Sequence, residues 1–196
     1  MSSDAGSTLL PIARAAISAA LGRSHAAAED AAWLREPGAT FVTLVQRGQL
    51  RGCIGTLQPH RPVLADVKAN AVAAALRDPR FSPLVAAELH YTEIEVSLLS
   101  PMQPISFDTE AEALAQLRPG VHGVVLEFAR HRSTFLPQVW EQLPGAGEFM
   151  AQLKQKAGLP ADFWAAGVRL QRYTVSKWKE SDAARVGTGS LDKVTP

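Results

Sequence analysis

The sequence predicts an α+β fold made of two structural repeats, each a hairpin, a helix and a return strand, and three observations carry that reading. Strand-like pairs joined by short turns occur twice, at residues 39–46 with 49–57 and at 121–128 with 133–136. A proline closes each hairpin, Pro59 in the first and Pro137 in the second, and helical stretches follow both. An extended segment then ends each half, at 92–100 and at 168–178.

Taken in order, residues 8–21 are alanine-rich, with Leu9, Ile12, Ala16 and Ala20 spaced for one helix face and Gly22 as the stop. Residues 39–46 and 49–57 read as strands around an Arg47-Gly48 turn. Residues 63–76 form an alanine-rich helix that Asp78-Pro79 ends. From 92 to 100, Ile94, Val96 and Leu98 alternate with Glu93, Glu95 and Ser97, the pattern of a half-buried strand. A connector after Pro101 holds a short helix at 110–116. Pro119-Gly120 opens the second half, whose hairpin turns near Arg130-His131. Its longest helix, 148–156, stops at Gly158-Leu159-Pro160, and 168–178 follows as one long strand. Residues 183–196 have few large apolar side chains and are expected to be a disordered tail.

Composition narrows the function. With 196 residues and 46% hydrophobic content, the chain can bury one good core, or two small lobes sharing one. A net charge of +1 with scattered Arg and Lys gives no electrostatic case for nucleic acid or an anionic membrane. One cysteine rules out an internal disulfide. The first residues lack the basic and apolar regions of a signal peptide, and no apolar run is long enough to span a bilayer, so a cytoplasmic location is expected.

The segment Leu50-Arg51-Gly52-Cys53-Ile54-Gly55-Thr56 places the only cysteine between two glycines, which let a backbone or ligand approach closely. Strict alternation puts Leu50, Gly52, Ile54 and Thr56 on one face and Arg51, Cys53 and Gly55 on the other. Arg51 then stands near the thiol, where its charge favours the thiolate. The plainer alternative is a buried cysteine acting as a small hydrophobe.

These seven residues resemble the signature of the AMMECR domain family, the A component of AmmeMemoRadiSam systems. The likeness continues through Asp78-Pro79-Arg80-Phe81, Glu93-Ile94-Glu95-Val96-Ser97, His122-Gly123, Thr134-Phe135-Leu136-Pro137-Gln138-Val139 and Lys156-Ala157-Gly158-Leu159. The resemblance implies one AMMECR-like domain over residues 1–182 with an internal duplication. It also implies Memo-type and radical-SAM proteins as partners.

A cysteine nucleophile needs a base or a positive neighbour. His25, His60, His90 and His131 fall in linkers and turns, whereas His122 opens a strand beside Gly123. If the two repeats meet near an axis, Cys53 and His122 form a candidate catalytic pair, with a histidine that only satisfies a buried carbonyl as the alternative. Arg51, Glu95 and Arg80 are candidate ligand-binding residues, although two acids on one strand face also suit a wet surface. The dispersed His and Cys lack the spacing of a structural zinc site, and the Gly-rich segments at 145–147 and 187–189 match no phosphate-binding fingerprint. No cofactor is implied. Two functions remain open: a binding or adaptor subunit, and an enzyme using Cys53 on a small-molecule or peptide ligand.

Overall fold

The computed structural model describes residues 5–182, so the tail expected at 183–196 lies outside the described residues. In chain order the elements are α1 (Ala5–Ala20), β1 (Pro37–Gly38), β2 (Thr40–Gln46), β3 (Gln49–Gly55), β4 (Arg61–Pro62), α2 (Val63–Leu76) and β5 (Thr92–Leu99). They continue with β6 (Gln103–Ile105), α3 (Glu110–Ala115), β7 (Gly123–Phe128), β8 (His131–Phe135), α4 (Ala146–Lys156), β9 (Arg169–Tyr173) and β10 (Val175–Lys179). Mixed helices and antiparallel sheets make this an α+β chain. It divides into two compact units, residues up to 98 together with those from 176 onward, and residues 99–175.

The first unit holds a sheet in the order β10-β5-β2-β3, with β3 and β5 both antiparallel to β2. Val42, Leu44, Ile94 and Val96 point to one face and are fully buried. Against them pack Leu9, Ile12 and Ile17 of α1, spaced for one helix face, and Val67, Ala71 and Ala74 of α2. Alanine on α2 lets the helix lie close to the strands, and Gly52 completes the fit: a Cβ there would stand 2.2 Å from the Ala74 carbonyl oxygen. Asp66, fully buried on α2, accepts from the Thr40 amide and hydroxyl, the Thr56 hydroxyl and Arg61 Nε, and so fixes the hairpin base to the helix.

The hairpin turns at Arg47 and Gly48, with φ of 51° and 77°, the positive pair that matches strand twist. Its register corrects one sequence expectation. Leu44 pairs with Gly52 but Val45 pairs with Leu50, so Arg51 is the extra residue of a β-bulge. Leu50 therefore faces away from Gly52, on the side of Val45, and is 45% exposed.

In the second unit the sheet runs β6-β9-β7-β8. Val124, Leu126 and Leu170 pack with Phe149, Met150 and Leu153 of α4, and Trp140 stacks on Phe149 at 3.7 Å. Hairpin, helix and strand thus occur in both units, a likeness of element order that the residues do not repeat.

The long strand expected at 168–178 is two strands. At Thr174 the backbone leaves the ladder: its carbonyl accepts from the Ser100 amide and its own amide donates to the Ser100 hydroxyl. β9 pairs with β7 in one sheet, and β10 lies beside β5 in the other. His131, expected in the turn, begins β8, and Ala129 takes the positive φ of 50° instead.

Candidate functional site

β3 is the outer strand of its sheet, so alternate backbone groups point outward and need partners. At Cys53 both are taken by side chains. The Cys53 amide donates to Asp78 Oδ2 at 2.8 Å, and the Cys53 carbonyl accepts from Arg80 Nη2 at 3.1 Å. Arg80 also grips the same carboxylate, Nε to Oδ1 at 2.9 Å and Nη2 to Oδ2 at 2.7 Å. The Asp78-Pro79-Arg80 segment after α2 thereby does the work of a further strand residue.

The electrostatics follow from that grip. Hydrogen bonding from Arg80 holds the Asp78 carboxyl far below its ordinary range, against its burial, with help from the Cys53 and Arg80 amides. Arg80 is shifted upward, chiefly by Asp78, with Cys53 also contributing. Its side chain remains 54% exposed while that of Asp78 is buried.

The thiol itself is half-buried, and its sulfur accepts a 3.2 Å hydrogen bond from the Thr43 hydroxyl. Cross-strand register lines up Cys53, Thr43 and Glu95 in one row across the sheet. Glu95 is buried and held by Lys177 and, at 3.0 Å, by Lys179. Burial pushes its carboxyl up, but the two lysines outweigh it and the net direction is down.

Arg51 does not serve the thiol as expected from strict alternation. From the bulge it pairs with Glu88 at 3.2 Å, which also accepts from the Val85 amide. That amide, together with Arg51 and Gln46, lowers the Glu88 carboxyl against its burial. Cys53 lies in the first unit and His122 in the second, and the hydrogen-bond partners of each lie in its own unit. His122 is buried; its Nδ1 accepts from the Arg118 amide at 3.1 Å and its carbonyl accepts from Trp140 Nε1. Burial, then Arg172 and Arg118, lower its pKa and so favour the neutral ring.

Thr43, Lys177 and Lys179 were not legible as site residues, and Asp78 was read only as a helix-ending residue. Beside the hairpin turn a shallow basin of about 310 Å³ is lined by Gln46, Arg47, Leu50 and Tyr91 among others. Among the described residues no group of three or more His, Cys, Asp or Glu could hold a metal ion, and no helix is long and apolar enough to cross a membrane.

Comparison with known proteins adds relatives of matching extent. A family model described as AMMECR1 matches residues 10–178. A protein of Methanothermobacter thermautotrophicus is 36% identical over 189 residues, covering 92% of this chain and 96% of its own. One from Thermotoga maritima is 38% identical over 147 residues, 74% of this chain and 79% of its own. The crystal structure of the uncharacterized protein PH0010 from Pyrococcus horikoshii superposes with a TM-score of 0.73 at 30% identity, covering 92% of this chain and 93% of that one.

Proposed function

Because this chain belongs to the AMMECR1 family, we propose that it is component A of an AmmeMemoRadiSam-type system, a binding subunit acting with Memo-type and radical-SAM proteins. One observation carries the reading. Beside the turn of the first hairpin, whose edge Asp78 and Arg80 pin, Leu50 of β3 and Tyr91 just before β5 stand 45% and 46% exposed on the rim of a shallow basin. Large apolar side chains held open beside a pinned hairpin suit a protein interface, where aromatic anchors such as tyrosine supply much of the binding energy.

Sedimentation velocity with the purified Memo-type and radical-SAM proteins tests this. A complex with at least one of them is expected, and Leu50→Ser or Tyr91→Ser should weaken it about tenfold or more. Absence of any complex, or full affinity in both variants, defeats the reading.

A second reading is favoured by a different observation, a half-buried thiol on the residue whose carbonyl accepts from the Arg80 guanidinium. Here Cys53 acts as a nucleophile on a small-molecule or peptide ligand. The positive neighbour becomes Arg80, which holds the Cys53 carbonyl, rather than Arg51, which is drawn to Glu88. Iodoacetamide should then label Cys53 in the native protein, Arg80→Ala should slow the reaction, and Arg51→Ala should change it little. Labelling only after denaturation removes this reading.

A further inference from the structure

We propose that the second unit carries an anion site, formed by Arg118, His122 and Arg172, that takes a dianionic phosphoryl group. The site goes beyond the binding-subunit reading and does not draw on it.

The turn that builds it is closed from both ends. The His122 amide donates to the Arg118 carbonyl at 3.0 Å, and the Arg118 amide donates back to His122 Nδ1 at 3.1 Å. Gly120, at φ +74°, supplies the left-handed residue between them. Because Nδ1 accepts an N–H, its lone pair is occupied, and the proton of the neutral ring sits on Nε2. His122 is only 6% exposed, and Nε2–H has no hydrogen-bond partner among the described residues. A donor of fixed tautomer thus has no protein acceptor among the described residues and opens to solvent at its tip.

One guanidinium group belongs to this loop and a second reaches it from the sheet. Arg118 is part of the turn. Arg172, opposite Val124 in the sheet, reaches over to donate Nη1 to the Gln116 carbonyl at 3.0 Å. Neither forms an ion pair among the described residues, whereas Arg14, Arg51, Arg61, Arg80 and Arg169 each face a carboxylate. The fields of both act on the imidazole, and no acid offsets them there: after burial, Arg172 and Arg118 are what lower its pKa.

A neutral N–H donor beside two uncompensated guanidinium groups selects the ligand. Guanidinium forks match phosphoryl and carboxylate oxygens in geometry. Two positive charges are balanced by a dianion, which a phosphoryl group supplies and a single carboxylate does not. The neutral Nε2–H adds a third donor without adding charge. Free phosphate and a phosphomonoester share this chemistry.

NMR of the full chain, following the His122 ring signals through a pH titration, tests the site. The probes are inorganic phosphate and phenyl phosphate, each against sodium chloride at equal ionic strength. Either ligand should raise the His122 pKa, since a bound dianion offsets both arginines, and the shift should saturate with ligand. Tighter binding of phenyl phosphate marks a phosphomonoester site, and equal binding marks a site for the phosphoryl group alone. Arg118→Gln removes an exposed side chain and leaves the backbone hydrogen bond intact, so the turn should persist. It should weaken binding about tenfold, the scale of one charge-assisted hydrogen bond, and raise the His122 pKa without ligand. Arg172→Gln should weaken binding similarly. A His122 titration that neither ligand moves overturns the proposal, as does an equal shift in the parent and both variants.

Discussion

Gly52→Val should lower the urea midpoint of unfolding far more than Cys53→Ser. The two residues are neighbours on β3 but face opposite environments. A side chain at Gly52 points into the core, where its Cβ would lie 2.2 Å from the Ala74 carbonyl oxygen and 3.1 Å from the carbonyl carbon. The obstacle is helix backbone, which cannot rotate aside as a side chain would, so the last turn of α2 must retreat from the sheet. Overpacking costs about 1–3 kcal/mol where side chains can adjust, and a backbone obstacle places this variant at about 3 kcal/mol or above. With urea slopes of about 1–3 kcal/mol/M, the midpoint should fall by about 1 M or more. Serine at position 53 keeps an acceptor for the Thr43 hydroxyl on a half-buried face, and its cost should stay below about 1 kcal/mol. Chemical unfolding followed by circular dichroism decides the matter. A valine variant with the parent's midpoint would show that β3 and α2 are not in close backbone contact, and a serine variant that falls as far would show that the thiol face carries as much stability as the core face.

Local chemistry explains which parts of this arrangement were legible in the sequence. The Arg47-Gly48 turn could be read from Gly48, because glycine readily takes the positive φ that a two-residue hairpin turn requires, while Arg47 takes it without such a signal. Helix α2 could be read from its alanines and from the Asp78-Pro79 stop. The glycine at 52 signalled close backbone approach, though not that α2 would be the element approaching. The neighbours of the thiol were hidden by the bulge. A two-residue hairpin without it would pair Thr43 with Gly52, not Cys53, and would keep Arg51 in the alternating row. One inserted residue moved Thr43 opposite the thiol and sent Arg51 to Glu88. No single-strand periodicity records such a shift, because it arises between strands. The split of 168–178 escaped notice for a similar reason: both pieces are extended, and only Ser100, distant in sequence, takes the backbone groups of Thr174 out of the ladder. His122 could be singled out by its place beside Gly123, but its tautomer and its two arginines depend on a turn and a cross-strand partner.

Asp78→Ala should destabilise the protein by about 2–4 kcal/mol near neutral pH, with a gap to the parent that closes in acid. The carboxylate accepts from the Cys53 amide, the Arg80 amide and the Arg80 guanidinium, and it is itself buried. Alanine leaves the Cys53 amide at the sheet edge without an acceptor and releases the guanidinium that covers the Cys53 carbonyl. An unsatisfied buried donor costs about 1–3 kcal/mol, and loss of bonds to a charged acceptor adds to it. Arg80 is half exposed, so water recovers part of its loss, and that keeps the total below the range for a fully buried pair. The pH dependence follows from the depressed carboxyl. In the unfolded chain Asp78 takes up its proton near pH 4, whereas in the folded chain it resists protonation until far lower pH. Its stabilisation is therefore complete above about pH 5 and drains away as the pH falls toward the folded value. Glu88, Glu95 and Glu127 are also depressed, but they are present in both proteins and cancel in the difference. Asp78→Asn separates the two contributions, because its amide oxygen can still accept from Cys53 while the charge is gone. It should be milder than alanine at pH 7 and should show the same narrowing. Urea unfolding of all three proteins from pH 7 to pH 3 provides the test. A gap that stays constant or widens on acidification would mean that Asp78 gains nothing from Arg80, and that the edge of β3 is held by something other than this ion pair.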